Sequence, residues 1–190
     1  MGGDLGAGRG EVHACAVLDF WFGEVSPEKH FARDAALDTE IGRRFGVLRD
    51  EVLAADAAGW RDNPETMLAA IILLDQFSRN IHRDTAQAFA ADPLALALAH
   101  EAIARGWDET IDPARRAFLY MPLMHAEDPA VQHESIACFT RLGNAENLRY
   151  AREHAAVIER FGRFPSRNVA LGRASTPEEQ AWLSQPGAGW

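Results

Sequence analysis

Lysine is almost absent from this sequence. Lys29 is the only lysine among 190 residues, so nearly all of the positive charge is arginine. The formal net charge of -9 at pH 7 argues against broad binding to nucleic acids or to anionic membranes. A preference for arginine is also typical of a GC-rich genome, so arginine content alone is weak support for phosphate binding.

Cysteine and long apolar runs are also scarce. Cys15 and Cys138 are the only cysteines, and apolar residues surround both in the sequence. This pattern predicts buried, reduced thiols rather than a disulfide or metal ligands. No apolar run approaches the length of a transmembrane helix, and residues 1–10 lack the apolar core of a secretory signal. We therefore expect a cytoplasmic protein.

Several motifs that define enzyme classes are missing. The sequence has no GxSxG, no P-loop and no GxGxxG after a predicted strand. It also has no HxxxH or HExxH, the spacings of common metal sites. The sequence therefore predicts neither a metal site nor a cofactor.

Proline and glycine instead mark predicted helix boundaries. Six of the nine prolines follow a small polar residue that can cap a first turn: Ser26-Pro27, Asn63-Pro64, Asp92-Pro93, Asp112-Pro113, Asp128-Pro129 and Thr176-Pro177. Proline is favoured at this position because its missing N–H costs nothing there. Thr176 with Glu179 also fits a capping box, and Gly23 and Gly143 predict helix ends.

Between these marks the apolar residues follow a helical period, and no strand pattern is convincing. The stretch from Met67 to Leu74 is apolar on every side, which predicts a buried central helix. We predict an all-α fold of about eight helices in antiparallel pairs. Residues 1–10 are expected to form a disordered glycine-rich tail, and residues 11–190 a single helical domain.

Two pairs of side chains at helix ends are candidates for a site. Asp75 and Arg79 are four residues apart and can pair on one helix face. The pair either caps a buried helix end or directs Arg79 into a cleft. His125 and Glu127 follow Pro122, which is expected to kink or end its helix. They either transfer protons, or His125 is a buried residue satisfied by Glu127 or by the backbone.

Further candidates are His154 and an irregular, arginine-rich stretch from Arg160 to Arg173. His154 lies on an apolar helix face, where a histidine is usually a satisfied core residue. In the stretch, Arg163, Arg167 and Arg173 could converge on a carboxylate or phosphate, which arginine binds through its planar fork. The alternative is that these arginines cap helix ends and pair with the surplus acids.

We expect the helix ends to meet on one side of the fold. Arg79, Arg163 and Arg167 would then lie near His125 and Glu127 and form an anion pocket. The predicted ligand-binding residues are Asp75, Arg79, His125, Glu127, His154, Arg163, Arg167 and Asn168. No catalytic residue is assigned, although His125 and Glu127 are the candidates.

Four ordered stretches carry a resemblance to a known family: Asp19 to Gly23, Leu73 to Ile81, Phe118 to Glu127 and Arg160 to Arg173. Over about residues 14–183, the chain resembles the bacterial "domain of unknown function 924" family. The resemblance implies a tetratricopeptide-like, right-handed helical stack, and it supplies no catalytic residue. The chain departs from the family pattern at Ser78, where proline is common, and at Ser166, where histidine is common.

These expectations leave more than one function open. The first is a helical module that binds a small anionic molecule or a peptide. The second is an enzyme in which His125 and Glu127 perform acid–base chemistry on an anionic substrate held by arginines. A scaffold without a small ligand is a third reading, because a fold alone does not determine function. Nucleic acids and membranes are not expected partners, and the sequence predicts no oligomeric state.

Overall fold

Eight helices account for most of the chain that the computed structural model describes, residues 7–187. They are α1 (Ala7–Asp19), α2 (Ala35–Ala54), α3 (Pro64–Ile71), α4 (Asp92–Ala104), α5 (Pro113–Met124), α6 (Pro129–Leu142), α7 (Ala145–Phe161) and α8 (Pro177–Leu183). No strand occurs within these residues, so the predicted all-helical fold is confirmed. Helices pack in pairs, with α6 against both α5 and α7 and α3 against α1, while residues 72–81, which continue α3, pack against α2. Right-handed, tetratricopeptide-like stacking stays a prediction.

Two of the helices continue as π-helix. After α1 the chain runs on through Phe20–Glu24, so Gly23 lies inside a helical segment rather than ending one. After α3 the π-helical segment is Ile72–Phe77, and one more α-helical turn, Ser78–Ile81, follows. These three segments, residues 64–81, are called here the α3 rod. Short stretches of π-helix inside α-helices often occur at functional sites.

Most of the predicted helix starts are capped as expected. The side chains of Asn63, Asp112, Asp128 and Thr176 each accept a hydrogen bond from a first-turn N–H, and Thr176 forms the predicted capping box. Two of the marks behave differently. Ser26-Pro27 begins a single 3-10 turn, Pro27–Lys29, and the Asp92 side chain makes no cap.

The predicted central helix is confirmed. Every residue from Met67 to Leu74 is fully buried. Around it, an aromatic group formed by Phe20, Trp21, Phe45 and Phe77 packs at ring separations of 5.1–6.0 Å. The α3 rod therefore has little freedom to rotate, and side chains near its C-terminal end hold fixed positions.

Two predictions about α1 are wrong. The helix begins at Ala7, so the last four residues of the predicted tail are helical, while residues 1–6 lie outside the described residues. A Cβ atom on Gly10 would lie 2.8 Å from the Gly59 carbonyl oxygen, so this glycine permits close packing rather than disorder. Cys15 is exposed, because its neighbour Ala14 occupies the buried face and the next residue points about 100° away. Cys138 is buried as predicted, and both cysteines are free thiols.

Candidate functional site

Asp75 occupies the centre of a buried polar cluster. It lies in the π-helical part of the α3 rod, and its side chain is fully buried. One carboxylate oxygen accepts a hydrogen bond from His125 Nδ1 at 2.8 Å and lies 3.0 Å from Arg79 Nη1. The other accepts from Gln76 Nε2 at 2.6 Å. Burial opposes the charge on Asp75, but Arg79 and His125 outweigh it and hold the pKa below its usual value.

Arg79 and Arg167 share a second carboxylate, that of Asp92. Arg79 binds Asp92 through both Nη atoms at 2.9 Å each, and it also donates to the Asp75 carbonyl at 2.8 Å. Arg167 Nη1 lies 3.4 Å from the same Asp92 side chain. Asp92 is at the first position of α4, and it is available because it does not cap the helix. Arginines 88 residues apart in sequence are thus held around one acid.

Arg167 is held between two aromatic rings. Its guanidinium carbon lies 4.7 Å from the ring centre of Phe89 and 4.5 Å from that of Phe164. Nη2 donates a hydrogen bond to the His125 carbonyl at 2.9 Å. Burial, together with repulsion from Arg79, lowers the pKa of Arg167 to about 10. Its positive charge is therefore less well compensated than that of an ordinary surface arginine.

Two neutral histidines complete the cluster. The ring centres of His125 and His154 are 6.2 Å apart. Since the Asp75 carboxylate and the Tyr150 carbonyl only accept hydrogen bonds, Nδ1 carries the proton in both rings. Burial lowers the pKa of His154 to about 3, with a further contribution from His125. Burial also lowers the pKa of His125, and the attraction of Asp75 only partly offsets this.

We call these six side chains the arginine–histidine cluster: Asp75, Arg79, Asp92, His125, His154 and Arg167. Its two arginines balance its two carboxylates, and its histidines are uncharged near neutral pH. Within residues 7–187, no group of His, Cys, Asp and Glu side chains is arranged to hold a metal ion. The same range contains no helix with the length and apolar character needed to span a membrane. Guanidinium groups can bind anions and imidazole groups can transfer protons.

A second set of contacts fixes the loop that carries Arg167. Glu127 accepts hydrogen bonds from Arg173 at 2.7 and 2.9 Å and from the Phe164 N–H at 2.7 Å. Arg173 also donates to Asn168, which is fully buried. Burial would raise the pKa of Glu127, but the hydrogen bonds from Arg173 and Phe164 lower it overall. The segment from residue 163 to 173, called here the arginine loop, is therefore closed by Glu127.

Glu179 ties the same loop to α8. It accepts hydrogen bonds from Arg163 Nε at 2.7 Å and Nη2 at 2.9 Å, and from Asn168 at 3.2 Å. It also accepts the Thr176 N–H as part of the capping box. The hydrogen bond from Arg163 is the main cause that lowers the pKa of Glu179 to about 2. Glu179 thus stays ionised over the physiological range and anchors the start and the middle of the arginine loop.

The comparisons with known proteins place the chain in a family. The sequence model described as "Bacterial protein of unknown function (DUF924)" matches residues 17–187. The chain belongs to this family. A solved structure, of a protein of unknown function from Agrobacterium tumefaciens, superposes with a TM-score of 0.87 at 41% sequence identity. The match covers 92% of this chain and 98% of that one. No curated protein matches the chain.

In this DUF924 protein the predicted site residues fall into two groups. Five of them lie in the arginine–histidine cluster: Asp75, Arg79, His125, His154 and Arg167. Glu127, Arg163 and Asn168 lie instead in the contacts that hold the arginine loop. Both carboxylate oxygens of Glu179 bind the guanidinium of Arg163, and a pocket that Arg163 shares with Arg79 stays a prediction. Glu127 does not contact His125 in the way expected, because Arg173 and the Phe164 N–H take its oxygens.

The sequence predictions missed two important acids in this DUF924 protein. Asp92 was expected to cap its helix because Asp-Pro is a common start signal, yet its carboxylate binds arginines instead. Glu179 was expected to complete a capping box, which it does, but it also holds Arg163. The only sequence signal for these roles is the surplus of acids over bases. Such a surplus cannot say which acid pairs with which arginine.

Proposed function

We propose that this protein binds a small anion, a carboxylate or a phosphate, at Arg79 and Arg167 beside His125. The observation that best supports this is the incomplete hydrogen bonding of the Arg167 guanidinium. A guanidinium has five N–H donors. Within the described residues Arg167 makes two hydrogen bonds, and the one to Asp92 is long at 3.4 Å. Donors remain for an oxyanion that approaches the planar fork.

The surroundings of Arg167 suit a partly desolvated ion pair. Its side chain is 12% exposed, so a ligand can reach it while water is largely excluded. Phe89 and Phe164 pack on it and limit its rotation, which reduces the entropy lost when a ligand binds. The same packing leaves its charge under-compensated, and a bound anion would supply the missing compensation.

The expected affinity is modest. A hydrogen bond to a charged group contributes about 1.5–3 kcal/mol, and association itself is costly. Two arginine contacts would therefore give a dissociation constant of roughly millimolar to micromolar. A peptide could use the same chemistry through its terminal carboxylate.

Thermal unfolding in the presence of sulfate, phosphate, acetate, pyruvate and succinate tests the proposal. At least one of these anions should raise the melting temperature of the wild-type protein at millimolar concentration. Arg167→Ala should weaken that binding tenfold or more, since about 1.4 kcal/mol is one decade. Arg160→Ala is a matched control, because Arg160 also lies over a phenylalanine ring but pairs with the exposed Glu178.

Two outcomes would contradict anion binding at this site. One is the lack of stabilisation by any of the five anions, which would leave the arginines as structural residues. The other is equal loss of stabilisation in Arg160→Ala and Arg167→Ala, which would point to general electrostatic attraction rather than to a site.

Acid–base catalysis on an anionic substrate is a second candidate, and one contact favours it. Asp75 fixes the His125 ring through Nδ1, so that Nε2 can exchange protons. Here the supporting carboxylate is Asp75 rather than Glu127. A screen of carboxylate and phosphate esters with wild-type protein and His125→Asn tests this candidate. Turnover that survives unchanged in His125→Asn would exclude His125 as the acid or base.

A further inference from the structure

His125 presents a fixed imidazole edge beside the arginine pair. Its Nδ1–H donates to Asp75, and its own carbonyl accepts a hydrogen bond from Arg167. No hydrogen bond from the described residues reaches Nε2, and the side chain is 16% exposed. The Nε2 lone pair of His125 therefore has no hydrogen-bond partner among those residues.

We propose that the protein takes up one proton when the anion binds. The proton resides on Nε2 of His125, which donates a hydrogen bond to a ligand oxygen. This inference rests on the proposed anion site and adds to it a third contact and a chemical requirement. The ligand must present an oxygen that accepts a hydrogen bond, and the bound state carries one more proton than the free protein.

The charges around His125 explain why the free protein does not hold this proton. Asp75 and Arg79 act on the ring from the α3 rod and Asp92 from the start of α4, while Arg167, on the arginine loop, contacts the His125 carbonyl. The His154 ring, on α7, lies 6.2 Å away between ring centres. The two carboxylates favour the imidazolium and Arg79 opposes it, but burial is the largest effect and keeps the imidazole neutral. A ligand anion makes the local charge negative, and a neighbouring negative charge favours the imidazolium.

His154 is less suited to carry the proton. Its Nδ1 faces the neutral Tyr150 carbonyl rather than a carboxylate, and its ring packs against Phe164 at 5.6 Å. The groups whose charge lowers its pKa are protonated His125, Arg167 and Arg79, and all three are positive. An anion that binds between these arginines would reduce that repulsion, but the burial of His154 would remain.

Calorimetric titration with sulfate and with pyruvate tests the inference. Neither anion changes its own protonation between about pH 5.5 and 8, so any proton taken up goes to the protein. Titrations at one pH in two buffers with different ionisation enthalpies give the number of protons bound. We expect up to one proton per ligand near about pH 6.5, and affinity that rises as the pH falls, by at most about tenfold per pH unit.

Two variants test whether His125 carries the proton that is taken up. His125→Asn keeps an amide donor for Asp75 near the Nδ1 position and removes Nε2, so proton uptake should disappear and binding should weaken. His100→Asn is the matched control, because His100 also contacts a carboxylate, Glu134 at 3.0 Å, but at an exposed position. It should leave both the affinity and the proton uptake unchanged.

The outcomes separate this inference from the function on which it rests. Binding without proton uptake by the wild-type protein would overturn the inference and leave the anion site intact. Proton uptake that persists in His125→Asn but is lost in His154→Asn would also overturn it. If none of the five anions, sulfate and pyruvate included, bound to the wild-type protein, the proposed function and this inference would fail together.

Discussion

Glu127 binds the guanidinium of Arg173 with both of its carboxylate oxygens, at 2.7 and 2.9 Å, across 46 residues of sequence. One of these oxygens also accepts the backbone N–H of Phe164 at 2.7 Å. The three hydrogen bonds close the arginine loop and set the position of Phe164. Because Phe164 packs on Arg167, Glu127 acts on the cluster through the loop rather than by direct contact with His125.

Glu127→Gln should therefore destabilise the protein. The change weakens a bidentate, partly buried ion pair, and we expect the free energy of unfolding in urea to fall by roughly 1–3 kcal/mol. Glu178→Gln is the control, because Glu178 pairs with Arg160 in an exposed ion pair expected to contribute less than about 1 kcal/mol. Similar losses in both variants would show that Glu127 is no more important than a surface acid.

Asp92→Asn should have opposite effects on stability and binding. It removes the negative charge that Arg79 and Arg167 share, so we expect a loss of roughly 1–3 kcal/mol of unfolding free energy. The same change leaves the arginines less compensated, so anions should bind more tightly. Asp128→Asn is matched to it, because Asp128 occupies the same Asp-Pro pattern and caps its helix, a role that asparagine also fills. Weaker anion binding in Asp92→Asn would contradict this account of the site.

Stability should fall as the pH drops from about 7 to 5. The folded-state pKa of His154 is lowered to about 3, whereas an unfolded histidine titrates near about 6.5. Below about pH 6.5 the unfolded state binds the extra proton first, at a cost to folding of roughly 2 kcal/mol at pH 5. Asp75 does not add to this loss between pH 7 and 5, because its lowered pKa contributes stability that is lost only below about pH 4.

Urea unfolding at a series of pH values would measure the slope of the unfolding free energy against pH. His154→Asn keeps an amide donor for the Tyr150 carbonyl but does not titrate, so it should flatten the slope between about pH 6.5 and 5. An identical slope in wild-type protein and in His154→Asn would show that His154 is not held neutral by the fold.

The two cysteines should differ in reactivity. Cys15 is exposed, whereas Cys138 is buried and its pKa is raised by burial. A bulky thiol reagent should therefore label Cys15 quickly in the native protein and Cys138 only when the protein unfolds. Mass spectrometry after short labelling times gives the answer. Fast labelling of Cys138 would mean that α6 separates readily from its neighbours.

Much of the fold was predictable because its signals are local. A polar residue before proline, or an apolar run without a polar face, depends only on neighbours within a turn or two. This is why the start of α6 after Asp128 and the burial of Met67 to Leu74 were predicted correctly. The exposure of Cys15 was not, because it depends on which face of α1 meets the rest of the protein.

The site was only partly predictable because its pairings are long-range. The sequence indicates that Asp75 and Arg79 can pair, since four residues bring them onto one helix face. It cannot indicate that Arg163 pairs with Glu179 while Arg173 pairs with Glu127. All three arginines of the loop are equivalent as residues, and only the path of the chain decides which acid each one meets.

The π-helical segment Ile72–Phe77 has a consequence for the history of the site. A widened turn lets a helix absorb an inserted residue while the parts before and after it keep their original faces. The packing of Met67–Ile71 and of Ser78–Ile81 is thus separable from the placement of Asp75. Loss of one residue, such as Leu73, would restore an ordinary α-helix and leave a folded protein without the contact between Asp75 and His125. The helices on either side are compatible with both arrangements of this turn, and a single codon separates the two.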